Sequence, residues 1–430
     1  MKVTDSRLNV IQLIKNWCKK DMKNNEKVIT INSVSDYILH IKSSGDKSYY
    51  FRGENSVYPR RIPGIYRSEN PANKGEQFKY KKLLEVGTRE YYYELFEELG
   101  RGISAIRGNR FEQLLELQHY GAITNILDVS NNPLVALFFA CYGNDSNDGK
   151  VYVYSPLGDE KHYFGHTISI MTALNFIPRN DIDRFIVTFK ELEEVIPKDS
   201  SMRQIFSRSF TIYDIISKLK DELSSDTKVA NIEQFGKDCF LLPFKMLNIE
   251  SVSGSERIER KEGEAREQIL NFLEKICPKT IVQQYRGAGY TLKAYQDILL
   301  HNISEVCDKF LEQLNQNAGV RETLKYPYAI YEDIQRSYVV KTAKINERIK
   351  NQRGAFIVPG YVSTKDKKVE EIQGEINASI EESIDIVQEV IIPQKVKSDI
   401  LVQLKKIGID EGFIYPDIKH VADAVLEKYQ

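Results

Sequence analysis

The chain has 430 residues, enough for one large domain or two modest ones with an ample core. Its apolar fraction of 42% and charged fraction of 28% are those of an ordinary soluble globular protein. Sixty basic residues against sixty-one acidic ones leave a net charge of −1, which excludes a global basic field for nucleic acid while leaving room for a local groove.

In chain order, Leu8 to Met22 carries Val10, Ile11, Leu13, Ile14 and Trp17 at helical spacing and predicts a capping or docking helix. Val34 to Lys42 reads as a second helix with Ser33 as N-cap. Ser48 to Arg52 reads as a strand, and Arg60 to Arg67, with Pro63 and Gly64, as an irregular turn. Gly75 to Glu98 is helical and tyrosine-rich; Tyr91, Tyr92 and Tyr93 serve either packing between helices or base stacking. Arg110 to Tyr120 sets Phe111, Leu114, Leu115 and Leu117 on one helical face. Asn132-Pro133 opens the next helix, since proline suits a first turn. A strand follows at Lys150 to Tyr154, then a long helical stretch between Leu192 and Leu324. Strand signals return at Ala355 to Val358 and Asp385 to Ile392, and helix signals at Lys395 to Ile407 and Lys419 to Lys428. Lys365 to Ser383 reads as a polar, mobile loop.

The five cysteines (Cys18, Cys141, Cys239, Cys277, Cys307) show no CxxC or Cys/His ligand spacing, so neither a metal site nor a disulfide framework is expected. They fit a reducing cytosol. The first twenty residues lack the apolar run of a signal peptide, and the longest apolar run, Leu134 to Tyr142, is too short to span a bilayer. A cytoplasmic protein with no membrane partner is the expectation.

The densest chemistry lies in Gln118 to Tyr142, where Gln118, His119, Tyr120, Thr124, Asn125, Asp128, Ser130, Asn131 and Asn132 stand directly before an apolar helix. Polar groups set against a core must be paired by the protein or by a ligand, so the segment is either an internal network or a pocket wall. Arg52, ending a strand before Gly53, offers a rigid fork for phosphate or carboxylate, with Gly53 permitting close backbone approach and Arg67 as a second cluster member. The plainer alternative pairs Arg52 with an internal carboxylate such as Asp128. His119, at a helix end closed by Gly121, is a cap, a ligand contact or an acid/base group.

Leu117 to Ala140, with Tyr50-Phe51-Arg52-Gly53-Glu54 upstream, resemble the FRG domain, a bacterial and phage family whose hallmark is similar to LQHYGxPTRLLDWTxNPLxALxFA. Arg348-Ile349, Asn351 to Phe356, Ile391-Ile392-Pro393, Gly408-Ile409 and Tyr415 to Ile418 resemble later blocks of the same family. The chain departs from that pattern at Asn125, where the family has arginine, and at Val129, where it has an aromatic residue. A second resemblance, in motif order, is to ADP-ribosyltransferases: a strand arginine (Arg52), a Ser/Thr strand running into a helix (Thr124 to Ser130, then Ala136 and Phe138), and a late glutamate before Val-Ile-Ile-Pro (Glu389). That resemblance implies that the arginine holds NAD phosphates. It implies too that Glu389 favours an oxocarbenium-like transition state as nicotinamide leaves. Glu54, Glu347 and Asp417 are rival carboxylates, and Glu389 as an exposed strand-edge charge is the alternative.

These readings give an α+β fold: a discontinuous FRG-like core with a mixed or antiparallel sheet, in the manner of ADP-ribosyltransferases, and a large helical insertion. The expected divisions are an N-terminal helix at 1–27, core at 28–164, helical insertion at 165–330 and core again at 331–430. Glu389 and His119 are the candidate catalytic residues. Arg52, Gly53, Arg67, Gln118, Tyr120, Thr124, Asp128, Ser130, Asn132 and Gln352 are the candidate cofactor-binding set, with NAD as substrate and no metal. The function that follows is a nucleotide-handling effector, NAD-consuming or ADP-ribosyl-transferring, in bacterial or phage defence. The competing class is a non-catalytic module binding a nucleotide or a protein partner, the latter through the helical insertion. A third is an interaction protein whose polar segments are purely structural.

Overall fold

The structure is a computed structural model that describes residues 27–42, 48–68, 78–100, 109–144, 146–193, 200–224, 255–341 and 346–417. The helices expected at Leu8 to Met22 and Lys419 to Lys428, with Cys18 and Cys239, lie outside the described residues. Among the described residues eight strands form one sheet: β1 (Val28–Thr30), β2 (Tyr50–Glu54), β3 (Leu127–Ser130), β4 (Gly149–Pro156), β5 (Lys161–His162), β6 (Tyr338–Lys341), β7 (Gly354–Val358) and β8 (Ile384–Ile392). Their order is β1-β8-β4-β2-β3-β7-β6-β5. The edge pairs β1/β8 and β5/β6 are parallel and the inner ladders antiparallel, so the sheet is mixed and the fold α+β. Strands from the two ends of the chain interleave, and every described element between β5 and β6 is helical.

The sequence sets the first covering layer by its glycines. Helix α5 (Pro133–Cys141) is apolar nearly all round, as a buried helix must be, and starts where the sequence signals it. Asn132 accepts from the Leu134 amide at 3.0 Å, and Pro133 fills the first turn. The helix lies so close to the sheet that a Cβ built on Gly53 would stand 1.8 Å from the Ala136 carbonyl oxygen, and one on Gly149 would stand 2.0 Å from that of Ala140. On the same face, α1 (Val34–His40) and α16 (Lys397–Lys406) close a core of Tyr37, Phe51, Leu137, Val153, Val390 and Leu404. Ser33 caps α1 as expected, accepting from the Asp36 amide.

The opposite face buries Tyr50, Ile65, Leu127, Val129, Tyr152 and Tyr154. Its cover includes α2 (Lys81–Val86), a single 3-10 turn at Gly64–Tyr66, and α15 (Val369–Glu381). The last corrects the expectation of a mobile loop at Lys365 to Ser383. Ile372, Ile376 and Ile380 recur every four residues and plant a polar-looking segment on the sheet as a helix.

The third core belongs to the helices: α3 (Arg89–Glu98), α4 (Arg110–His119), α6 (His166–Ala173), α7 (Arg179–Leu192), α10 (Ser255–Ile276), α12 (Leu292–Ala318) and α13 (Pro327–Ile334), around Phe185, Phe189, Phe310 and Tyr328. It joins the sheet where Phe111 meets Phe356 edge-on at 5.7 Å. Arg110, only 1% exposed, anchors the start of α4: it donates to Gln113 and to both oxygens of Asn317, and its guanidinium stands 4.0 Å over the Phe176 ring. Burial lowers its pKa. Tyr91 and Tyr92 turn out to clamp the backbone beyond α4: the Tyr91 oxygen accepts from the Ile123 amide at 3.0 Å, and the Tyr92 hydroxyl donates to the Ile123 carbonyl at 3.0 Å.

Overpacking of this kind costs about 1–3 kcal/mol. Gly53→Ala is therefore expected to lose about 3 kcal/mol in urea denaturation, since the obstacle at that position is the backbone of Ala136 and Ala140. Gly158→Ala, where no atom lies within 4 Å, is expected to stay within about 0.5 kcal/mol of wild type.

Candidate functional site

The site is a notch where the sheet opens. β2 and β3 share a single register pair, Phe51 with Ser130, and then part. Arg52 spans the gap: Nε donates to Glu54 Oε1 at 2.9 Å, and Nη1 donates to the Asp128 backbone carbonyl at 2.8 Å. Alternation along the strands explains the choice. Arg52 and Glu54, two residues apart, share a face, whereas Asp128 points opposite to its neighbours Leu127 and Val129, which pack with Tyr152. The internal carboxylate paired with Arg52 is thus Glu54, not the Asp128 named in the plainer alternative. Burial opposes the charge on Arg52, but Glu54, Tyr154 and Asp128 outweigh it and raise its pKa. Glu54 Oε2 and the Tyr154 hydroxyl are both buried without a hydrogen-bond partner among the described residues.

The Asp128 carboxylate belongs to a relay. Gln118 Nε2 donates to its two oxygens at 2.9 and 2.8 Å, Thr124 donates to Gln118 Oε1 at 2.6 Å, and the Ile126 amide donates to Thr124 at 3.3 Å. The relay fixes the Gln118 amide orientation and keeps Asp128 at the notch. Asp128 is open to solvent, yet so closely walled that desolvation is the first cause acting on it and raises its pKa; Arg52, Arg348 and Arg67 pull the other way. Three guanidinium groups therefore act on one carboxylate.

Arg67 is the exposed member. Its Nε donates to the Ile62 carbonyl at 3.4 Å, and its Nη groups have no hydrogen bond or ion pair among the described residues. Desolvation and the neighbouring charge of Arg52 lower its pKa. Arg348 arrives from α14 (Glu347–Asn351), donating to the His119 carbonyl at 3.4 Å and lying 4.8 Å over the Tyr415 ring. Nothing local in the sequence ties Arg348 and Tyr415 to the notch; the one signal is their place in the blocks quoted with the Gln118 segment. His119 is half-buried, with Nδ1 buried and without a hydrogen-bond partner among the described residues. Burial and then Arg348 lower its pKa from 6.5, against Asp417 and Glu116, so it is neutral at pH 7.

Other sequence candidates take these places. Ser130 donates to the Gln352 carbonyl at 2.6 Å and accepts from the Asn132 amide. Asn132 caps α5. Gln352 donates to the Ile414 carbonyl at 3.0 Å, tying α14 to α17 (Glu411–Ile414). Gly53 accommodates α5 on the covered side of the sheet. Tyr120 stands 70% exposed beside His119, ring centroids 5.0 Å apart. Glu389 shares a cross-strand row with Arg52, Tyr152 lying between them in register, and its carboxylate pairs with Lys150 at 2.5 Å. Among the described residues no group of three or more His, Cys, Asp or Glu side chains is arranged to hold a metal ion, and no helix is long and apolar enough to cross a membrane.

Residues 47–149 match the family model of the FRG domain, a span that holds Arg52, Arg67, Gln118, His119 and Asp128 but not Arg348 or Glu389. No curated protein and no solved structure matches the chain.

A raised native pKa at Asp128 means that its protonated form is favoured on folding. That contribution is complete below the ordinary value of 3.8 and is lost as pH rises through the native pKa. Asp128→Asn is accordingly expected to raise the Tm at pH 7, with a gain that shrinks as pH is lowered toward 4. A lower Tm at pH 7 would show that the second acceptor for Gln118 outweighs desolvation.

Proposed function

The chain is an FRG-domain protein, and from that premise we propose that its notch binds the phosphates of a nucleotide. The observation that carries the reading is Arg67: a guanidinium whose Nη groups have no partner among the described residues, its pKa lowered by desolvation and then by neighbouring Arg52, at the mouth of a walled notch. An anion seated there gains charge-assisted hydrogen bonds and relieves the repulsion between Arg52 and Arg67. Arg52 is held rigid by Glu54 and the Asp128 carbonyl, so little side-chain entropy is lost when it contributes. Gln118, Thr124 and Asp128 form one wall, with His119 and Tyr120 beyond them. Ser130, Asn132 and Gln352 keep that wall in place through backbone contacts.

Isothermal titration with ADP tests this. Arg67→Gln, a change at an exposed side chain, is expected to weaken binding about tenfold, the equivalent of about 1.4 kcal/mol. Raising the salt concentration should weaken wild-type binding further. Equal affinity in both proteins, or no binding by either, would overturn the proposal.

A second reading, cleavage of NAD, is favoured by the row Arg52–Tyr152–Glu389, which sets a phosphate-binding arginine and a carboxylate two strands apart, about 10 Å, on one face. Lys150 neutralises Glu389 in the resting protein, so catalysis requires that ion pair to open. Proton NMR of NAD incubated with the protein should then show free nicotinamide, absent with Glu389→Gln at unchanged Tm. No release by wild type, with cell extract supplied as a source of acceptor, removes catalysis on NAD and leaves the binding reading standing.

A further inference from the structure

A pocket adjoins the notch at the seam between the helical core and the sheet. Ile65, Tyr66, Met171, Leu174, Ile177 and Pro359 supply apolar walls, and Asn125 lines the pocket together with Thr88, Asn175, Arg179 and Thr364, each of which is hydrogen-bonded elsewhere. Its volume of about 60 Å³ is room for about five waters or the edge of one small ring. Asn125 is the anomaly. Its Oδ1 is buried without a hydrogen-bond partner, and the amide nitrogen makes no hydrogen bond either among the described residues. His119 Nδ1 apart, the polar side chains of the 118–132 wall discussed above have a partner or face solvent, whereas this carboxamide presents an adjacent acceptor and donor with neither used among the described residues.

Position links the pocket to the notch. Asn125 precedes Asp128 by three residues, at most about 10 Å along the chain. Tyr66, in the pocket wall, immediately precedes Arg67. The clamp of Tyr91 and Tyr92 on Ile123 fixes the segment from which Asn125 projects. A slot of mixed lining in which this carboxamide has no hydrogen bond among the described residues matches a planar ring edge that carries an N–H donor beside an acceptor, the bidentate pattern by which asparagine reads adenine.

We propose that the Asn125 pocket takes the edge of the ring of the nucleotide whose phosphate lies at Arg67, reading a neighbouring donor and acceptor on that edge. Adenine and the carboxamide of a nicotinamide ring both present that chemistry. The inference rests on the phosphate reading of the notch. It adds the ring specificity that the arginines cannot supply, because they read charge alone.

The full chain is titrated with ribose 5-phosphate, AMP and nicotinamide mononucleotide, each against wild type and Asn125→Leu. The ring is expected to improve affinity about tenfold or more over ribose 5-phosphate. Asn125→Leu should reduce that gain to under about twofold while leaving ribose 5-phosphate binding unchanged. Whichever nucleotide loses affinity identifies the ring. Saturation-transfer NMR on wild type provides a readout independent of any variant, with the strongest signals expected on the ring protons. Ribose 5-phosphate binding that depends on Arg67, with no gain from either ring, overturns the ring inference alone and leaves a hydrated pocket. No binding of any of the three overturns the phosphate reading and this inference together.

Discussion

The close seating of α5 on the sheet is the constraint from which the rest follows. Gly53 and Gly149 lie on adjacent strands, and at each a helix carbonyl occupies the place of a side chain. That contact brings the helix backbone flush with β2 and β4 and leaves no latitude in the height of β2. With β2 fixed from one side, Arg52 and Glu54 project from the other at set positions. The parting of β3 from β2 then becomes a feature that Arg52 must bridge. The arginine supplies to the Asp128 carbonyl the hydrogen bond that a continuing ladder would have supplied, so a gap in the sheet is closed by a charged group rather than by backbone.

Electrostatically the notch is unbalanced by design of its surroundings. Glu54 answers Arg52, and Gln118 answers Asp128 with a neutral donor in place of a cation. Arg67 and Arg348 are then left acting at a distance on a carboxylate that is already hydrogen-bonded. An internal salt bridge between Arg52 and Asp128 would have cancelled both charges. The alternation of β2 and β3 prevents it, and in doing so keeps positive potential at the mouth.

Much of this was legible in the sequence, and the failures are instructive. Ser33 and Asn132-Pro133 announced their helix starts because capping is a local matter, settled within three residues. The strands expected at 48–52, 150–154 and 385–392 appear at 50–54, 149–156 and 384–392, and the extended segment expected at Thr124 to Ser130 forms a strand over its last four residues. The Gly53 signal was read for close approach, but the approaching group is a helix, which only the tertiary fold reveals. The partner of Arg52 was available from the two-residue period and was missed in favour of a more distant aspartate. In Lys365 to Ser383 the charged residues obscured three isoleucines at four-residue spacing, a pattern that outweighs composition once a sheet lies beneath it. Arg348 and Tyr415, some two hundred residues or more from Gln118, reach the notch through long-range packing that no local pattern encodes.

The two phenols on α3 have a mechanical consequence. Ile123 has its amide and its carbonyl each held by a tyrosine hydroxyl, the pair of bonds that a neighbouring β-strand would ordinarily provide. Tyr91 and Tyr92 thus stand in for a ninth strand, and they do so from a helix whose Tyr92 ring packs 5.5 Å from Phe176 in the helical core. The segment leading into β3 is hung from the helices at one end and sewn into the sheet at the other. Any displacement of α3 relative to the sheet would be delivered to the three residues between Ile123 and β3, which makes that short span the hinge pin between the helical core and the sheet.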